Sequence, residues 1–387
     1  MSRLARIALV AGEASGDLLA SHLIAALKTR LPDARYFGIG GPRMLEQGFE
    51  TWWPMEKLAV MGYVEVLRRF REIIGIRRQL KRRLLQDLPD LFIGVDAPDF
   101  NLSLEADLKA KGMTTLHYVS PSIWAWRAGR IRKIARAANR VLALFPMEPP
   151  LYQAAGIPVT YVGHPLADRI PMVTDKEAVR RRLGLPRDIP IFALLPGSRQ
   201  SELEYMADTF VETALHLWSR QNHAQFVVPL ATRETRLLFE AAMFRRQNRF
   251  PTALRAFRLM FGHAQDAIGA ADAALVASGT ATLETMLVKR PMVITYKLAP
   301  LTWKLMKHRA RLPYVGLPNI LSGQALVPEI LQDDATPERL AEALWREMTD
   351  TERQDRLTGE FTRLHIALRQ NTAEKAAAAV LACLPSR

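Results

Sequence analysis

This sequence predicts an α/β protein built as two doubly wound lobes, and three observations predict it. Its 387 residues exceed one ordinary α/β domain and suit two, with a cleft expected between them. Apolar runs of strand length alternate with helical patterns along most of the chain. The alternation pauses once, at a polar stretch carrying a proline, and then starts again.

The first run, Arg6 to Ala11, reads as a buried parallel strand, and Gly12 to Asp17 as a turn into a helix over Leu18 to Arg30. Similar runs at Tyr36 to Ile39, Leu91 to Val95, Thr115 to Val119 and Val141 to Leu144 complete the first lobe. After Gly163-His164-Pro165, the stretch Ile170 to Asp175 is the expected interdomain linker. Strands at Ile191 to Leu195, Phe226 to Leu230, Ala273 to Ala277 and Pro291 to Tyr296 then build the second lobe, and from Pro337 the chain reads as helices.

Composition narrows the function. Apolar residues make up 49%, enough for buried cores and too many for a disordered chain. No uninterrupted apolar stretch reaches the roughly 18 residues of a membrane span, and no secretory segment is visible, so a cytoplasmic location is expected. The single Cys383 rules out an internal disulfide, a redox pair and a cysteine-based metal site. A formal charge of +14 favours an anionic partner: nucleic acid, anionic lipid or a phosphorylated substrate.

Ligands of open α/β sheets bind beyond the carboxyl ends of the strands, so the motifs there matter most. In Gly12-Glu13-Ala14-Ser15-Gly16-Asp17, Gly12 and Gly16 permit close approach of an anion or sugar to a helix N-terminus, with Glu13 and Ser15 beside it. The alternative is a tight turn in which Ser15 or Asp17 caps the helix. The spacing is neither the dinucleotide fingerprint nor a P-loop. Asp96 and Asp99 follow the strand that ends at Val95, where a carboxylate can take a proton from an attacking hydroxyl; Asp96 would serve equally as a helix N-cap. Ser120 to Trp126 offers hydroxyls and indole faces at the same edge, which suit a sugar, the core or a lipid.

In the second lobe, Pro196-Gly197-Ser198-Arg199 leaves a strand, and Arg199 is placed to neutralise a diphosphate, with a solvated surface arginine as the alternative. Ser201 and Glu204 have capping-box spacing, so Glu204 is expected to be structural. Ser278-Gly279-Thr280 opens a helix whose free N–H groups and dipole stabilise a phosphate. Glu284 lies four residues beyond Thr280, off the capping-box offset, where it can accept hydrogen bonds from ribose hydroxyls.

Between Val64 and Arg83 a basic helix carries Val66, Leu67, Phe70, Ile73 and Ile74 on about a third of its circumference. That pattern fits an interfacial helix, with acyl chains on one face and phosphate headgroups against the arginines. An amphipathic helix packed into its own lobe has the same pattern. Basic and aromatic residues recur together at Leu301 to Arg309.

Taken in order, these motifs resemble one family. Val10 to Asp17, Gly41-Pro42-Arg43-Met44, Leu58 to Gly62, Asp96 to Asn101, Tyr118 to Trp126, Leu194 to Arg199, Ala277 to Glu284 and Leu317-Pro318-Asn319-Ile320-Leu321 look like bacterial lipid-A-disaccharide synthases over nearly the whole chain. The resemblance implies a GT-B architecture of two Rossmann-like lobes facing a cleft. Residues 1–168 would form the acceptor and membrane-facing lobe, 169–350 the UDP-sugar lobe, and 351–387 helices returning to the first. It implies UDP-2,3-diacylglucosamine as donor and 2,3-diacylglucosamine 1-phosphate as acceptor, a β-1,6 linkage formed with inversion, no metal or other cofactor, and peripheral association with the inner membrane. Asp96 or Asp99 would be the base, and Asn319 would belong to the donor side. A homodimer is compatible with the family. A UDP-sugar epimerase of the same architecture and a non-enzymatic nucleic-acid binder are the rival readings, the second supported by charge alone and by no recognisable motif.

Overall fold

The computed structural model describes residues 4–58, 63–121, 123, 129–248, 250–299, 303 and 313–385, with backbone only for 63–70. The chain divides into two compact units, Met1–Asp168 with Ala367–Arg387, and Arg169–Ile366.

In the first unit, β1 (Arg6–Ala11), β2 (Arg35–Gly40), β3 (Glu50–Pro54), β4 (Leu91–Val95), β5 (Thr115–Tyr118), β6 (Arg140–Ala143) and β7 (Val159–Tyr161) form a parallel sheet in the order β3-β2-β1-β4-β5-β6-β7. Alternate side chains of β1 serve opposite faces, as the pleat requires. Ile7, Leu9 and Ala11 pack with Leu23 and Leu27 of α1 (Ala14–Lys28) and with Ala376 and Val380 of the helix Thr372–Leu381. Ala8 and Val10 pack instead with Ile76, Leu80 and Leu84 of α3 (Tyr63–Asp87) and Leu104 of α4 (Pro98–Lys109); the short α2 (Pro42–Glu46) follows β2. Burying each leucine contributes about 1.5–3 kcal/mol, which is why a sheet apolar on both faces needs helices on both.

In the second unit, β8 (Ile191–Leu195), β9 (Gln225–Leu230), β10 (Phe257–Phe261), β11 (Ala273–Ala277), β12 (Met292–Tyr296) and β13 (Glu329–Leu331) are parallel in the order β10-β9-β8-β11-β12-β13. Phe192, Leu194, Phe226 and Leu275 anchor the larger core beneath the helix Gln200–Arg220. Counted from its own first strand, each sheet reads 3-2-1-4-5-6, the Rossmann order, and the first continues to a seventh.

One expectation needs correction. The chain returns to the first unit at Ala367, not at residue 351. Most of the helix Thr351–Leu368 stays with the second unit, because Arg353 pairs with buried Glu347 at 2.6 Å and donates to the Leu326 carbonyl at 2.9 Å. Over its described C-terminal part the basic helix α3 packs Ile76, Leu80 and Leu84 into the core of the first unit. Ile73 is half-buried against that core. Ile74 is half-buried, while the side chains of Val66, Leu67 and Phe70 lie outside the described residues. Part of the positive charge is already matched: Lys81 pairs with Asp107 at 2.8 Å, and the Arg83 guanidinium lies 3.8 Å from the Trp52 ring centroid. The stretch Leu301 to Arg309 lies outside the described residues except Trp303. Among the described residues, no helix is long and apolar enough to cross a membrane.

Candidate functional site

In a doubly wound sheet the chain turns opposite ways from its two central strands, and a crevice opens between the loops that leave them. The first unit has that point between β1 and β4, where Ala11 is in register with Val95. Gly12 and Asp96 therefore leave adjacent strands at one level. A Cβ on Gly12 would come 3.1 Å from the Ala97 Cβ, so only glycine lets the two loops meet without displacement. Glu13 takes the N-cap position of α1 without a side-chain cap, and Ser15 is exposed. Asp17 caps a different helix from the one expected. Its buried carboxylate accepts from Gly41, Arg43 and Met44 N–H at 2.9, 3.1 and 3.1 Å, at the start of α2.

Asp96 and Ala97 both take left-handed backbone, at φ 53° and 42°. Asp96 is not the cap of α4: that place falls to Ala97, and no side chain caps the helix. The Asp96 carboxylate, half-buried, makes no ion pair or hydrogen bond among the described residues. Asp99 sits one turn on, exposed, and pairs with Arg130 at 2.7 Å. The structure thus brings Gly12 and the Asp96–Ala97 turn together and leads Asp99 to an ion pair. Trp124 and Trp126 lie outside the described residues, while Ser120 Oγ lies 2.7 Å from buried Tyr152 Oη.

The second unit has its point between β8 and β11, where Leu195 is in register with Val276. Arg199 and Ser278 thus leave neighbouring strands. The helix after Arg199 begins at Gln200, two residues earlier than a Ser201 cap requires, and its cap acceptor is Glu202 rather than Glu204. Glu202 accepts from Ser198 N–H at 2.8 Å and Arg199 N–H at 3.1 Å, so those two amides are already satisfied. The exposed Arg199 guanidinium rests on Glu202 at 3.1 Å.

Gly279 precedes the helix Thr280–Leu287 at φ 156°, with no side-chain cap, and a Cβ there would meet nothing within 4 Å. Exposed N–H groups at a helix start with open space before them suit an anion. Ser278 Oγ donates to the Val315 carbonyl at 2.9 Å, so its hydroxyl is turned inward. Glu284 is largely buried, which raises its carboxyl above the usual range against the pull of Arg169. Asn319 is 1% exposed and fully engaged: its amide donates to the Val327 carbonyl and to Glu329, each at 2.9 Å, and accepts from Val327 N–H at 2.9 Å. Glu329 in turn holds Val315 N–H and Gly316 N–H at 2.8 and 2.9 Å. Asn319 is therefore tied to the Ser278 loop through Glu329 and Val315.

The family described as lipid-A-disaccharide synthetase matches residues 7–382. The lipid-A-disaccharide synthase of Dechloromonas aromatica (strain RCB) is 67% identical over 385 residues, covering 99% of this chain and all of that one. Among solved structures, a glycosyltransferase from Rickettsia africae ESF-5 superposes with a TM-score of 0.59 at 11% identity, covering all of both chains. A UDP-GlcNAc 2-epimerase from Neisseria meningitidis bound to UDP-GlcNAc gives 0.63 at 13% identity, covering 98% of this chain and 99% of that one. At such identities the likeness shows the fold alone, the GT-B architecture of two Rossmann-like units. Identity at the level of the first relative decides the class: the chain belongs to the lipid-A-disaccharide synthase family, hexosyltransferases of lipid A biosynthesis.

Proposed function

We propose that the chain condenses UDP-2,3-diacylglucosamine with 2,3-diacylglucosamine 1-phosphate, forming the β-1,6-linked disaccharide 1-phosphate and releasing UDP. Family membership supports the substrates. The observation that carries the chemistry is the free Asp96 carboxylate at the sheet edge of the first unit, beside Gly12.

Asp96 takes the proton of the acceptor 6-hydroxyl as that oxygen attacks the donor's anomeric carbon. The bond to UDP breaks from the opposite face with its electron pair, so an α-linked donor yields a β-linked product through an oxocarbenium-like transition state. The departing diphosphate is negative, and the Thr280–Leu287 helix start with the Arg199 guanidinium supplies positive potential. Releasing Arg199 from Glu202 is the local change this asks for. Glu284 accepts from the ribose hydroxyls. The acylated substrates reach the enzyme at an anionic membrane surface, which the excess positive charge favours.

The test measures UDP release from the two acylated substrates in detergent, comparing the natural chain with Asp96→Ala and Asp99→Ala. Loss of a general base lowers the rate about 10²–10⁴-fold. That loss is expected for Asp96→Ala and not for Asp99→Ala. A fully active Asp96→Ala removes the base assignment, and no UDP from the natural chain removes the reaction.

A further inference from the structure

Beneath Asp96 lies a buried polar cluster that the chemistry above does not use. Two successive left-handed residues other than glycine cost on the order of 1 kcal/mol or more each, and such a turn persists only when its surroundings enforce it. The enforcing group is Asn101, wholly buried one turn into α4. Its Nδ2 donates to the Asp96 carbonyl at 2.9 Å and lies 3.3 Å from the Val10 carbonyl and 3.4 Å from that of Val95. One amide thus ties the ends of β1 and β4 to the turn.

One helical turn further, Glu105 meets His117 of β5, Oε1 to Nδ1 at 2.7 Å, with both side chains fully buried. Gly94 makes room for the cluster. A Cβ there would come within 2.0 Å of Glu105 Oε1 and 2.8 Å of Asn101 Cβ. Burial pushes the Glu105 carboxyl above its ordinary range, against the pull of His117. A single hydrogen bond between Nδ1 and Oε1 joins the pair. Asn101 Oδ1, Glu105 Oε2 and His117 Nε2 have no partner among the described residues. A buried polar group left half-satisfied is a poor way to stabilise a core, and apolar residues of similar volume often do better.

We infer that Asn101, Glu105 and His117 are positioning residues: a polar brace that fixes the Asp96 turn, so that turnover rather than donor binding depends on it. The inference rests on Asp96 being the base.

The experiment compares kcat, donor KM and melting temperature for Asn101→Ala, Glu105→Leu and Glu105→Gln, with Asp96→Asn as reference. Misplacing a catalytic group by about 1 Å costs on the order of 100-fold. Asn101→Ala and Glu105→Leu should lose roughly tenfold to a hundredfold in kcat with donor KM within about twofold. Glu105→Leu leaves buried His117 Nδ1 without its partner and should also melt lower, so kcat and KM are read well below its melting temperature. Glu105→Gln keeps a hydrogen-bonding group opposite His117 Nδ1 and should retain kcat within about threefold, a rescue that simple packing would not give. If either leucine or alanine variant fails to fold, His117→Asn and Asn101→Ser carry the same comparison. Natural kcat in Glu105→Leu and Asn101→Ala beside an inactive Asp96→Asn overturns the brace and leaves the base standing. Full activity in Asp96→Asn overturns both.

Discussion

The two units share a strand order and finish it in opposite ways. In the first, the loops after β1 and β4 close on each other until Gly12 and Ala97 are a Cβ apart, and a carboxylate stands at the edge. In the second, Gly279 after β11 faces open space and an arginine stands at the edge after β8. In the proposed reaction one topology thus serves a proton acceptor in one unit and an anion site in the other. The difference lies in loop residues and not in the sheets, which is how a common fold carries distinct chemistry.

The units should first part company in acid. The His164 imidazole packs on Phe145, its Nδ1 accepts from Leu166 N–H at 3.2 Å, and burial pushes its pKa down to about 4. A depressed folded-state pKa means stability present above the unfolded value near 6.5 and lost as pH falls toward 4. At about 1.4 kcal/mol per unit, the loss approaches ~3 kcal/mol. Hydrogen exchange should show the first unit loosening before the second over that window, and His164→Asn should flatten the pH dependence. Equal loosening of both units would dissolve the contrast.

Arg199→Ala comes next in size. A charge-assisted hydrogen bond is worth about 1.5–3 kcal/mol, so calorimetric UDP affinity should fall roughly 10- to 100-fold. Asp96→Asn should leave that affinity unchanged. UDP binding that ignores Arg199 would move the anion site elsewhere.

The smallest effects belong to the two glycines. Gly12→Ala must push on Ala97 and should cost ~1 kcal/mol in stability, with a lower kcat and unchanged UDP affinity. Gly279→Ala meets no atom but strains the backbone by a similar ~1 kcal/mol, and should weaken UDP binding instead. Interchanged phenotypes would contradict the proposed division of labour.

The central strands were legible in the sequence because they are buried on both faces and read as continuous apolar runs: Ile7 to Ala11, Leu91 to Val95, Ile191 to Leu195 and Ala273 to Ala277. The four strands without such a signal, β3, β7, β10 and β13, are the edges of the two sheets. Glu50-Thr51-Trp52-Trp53-Pro54 and Glu329-Ile330-Leu331 are half-exposed, and a strand buried on one side only has no such run. The site loops were found because glycines, small residues and carboxylates follow those central strands directly. Glu202 was missed for a two-residue reason: the cap is Arg199 and not Ser201, which moves the third position from Glu204 back to Glu202. The Glu105–His117 pair gave no local signal, since its partners are 12 residues apart on a helix and a strand. For Asn319 the motif was visible, but its role depends on a glutamate ten residues away.

The crossing at Ala367 has a consequence for synthesis. During translation the second unit can complete its fold while the first still lacks the helix Thr372–Leu381, whose Ala376 and Val380 cover Leu23 and Leu27. The half of the molecule made first is therefore finished last, and a nascent chain halted before residue 367 carries an uncovered apolar face on its oldest segment.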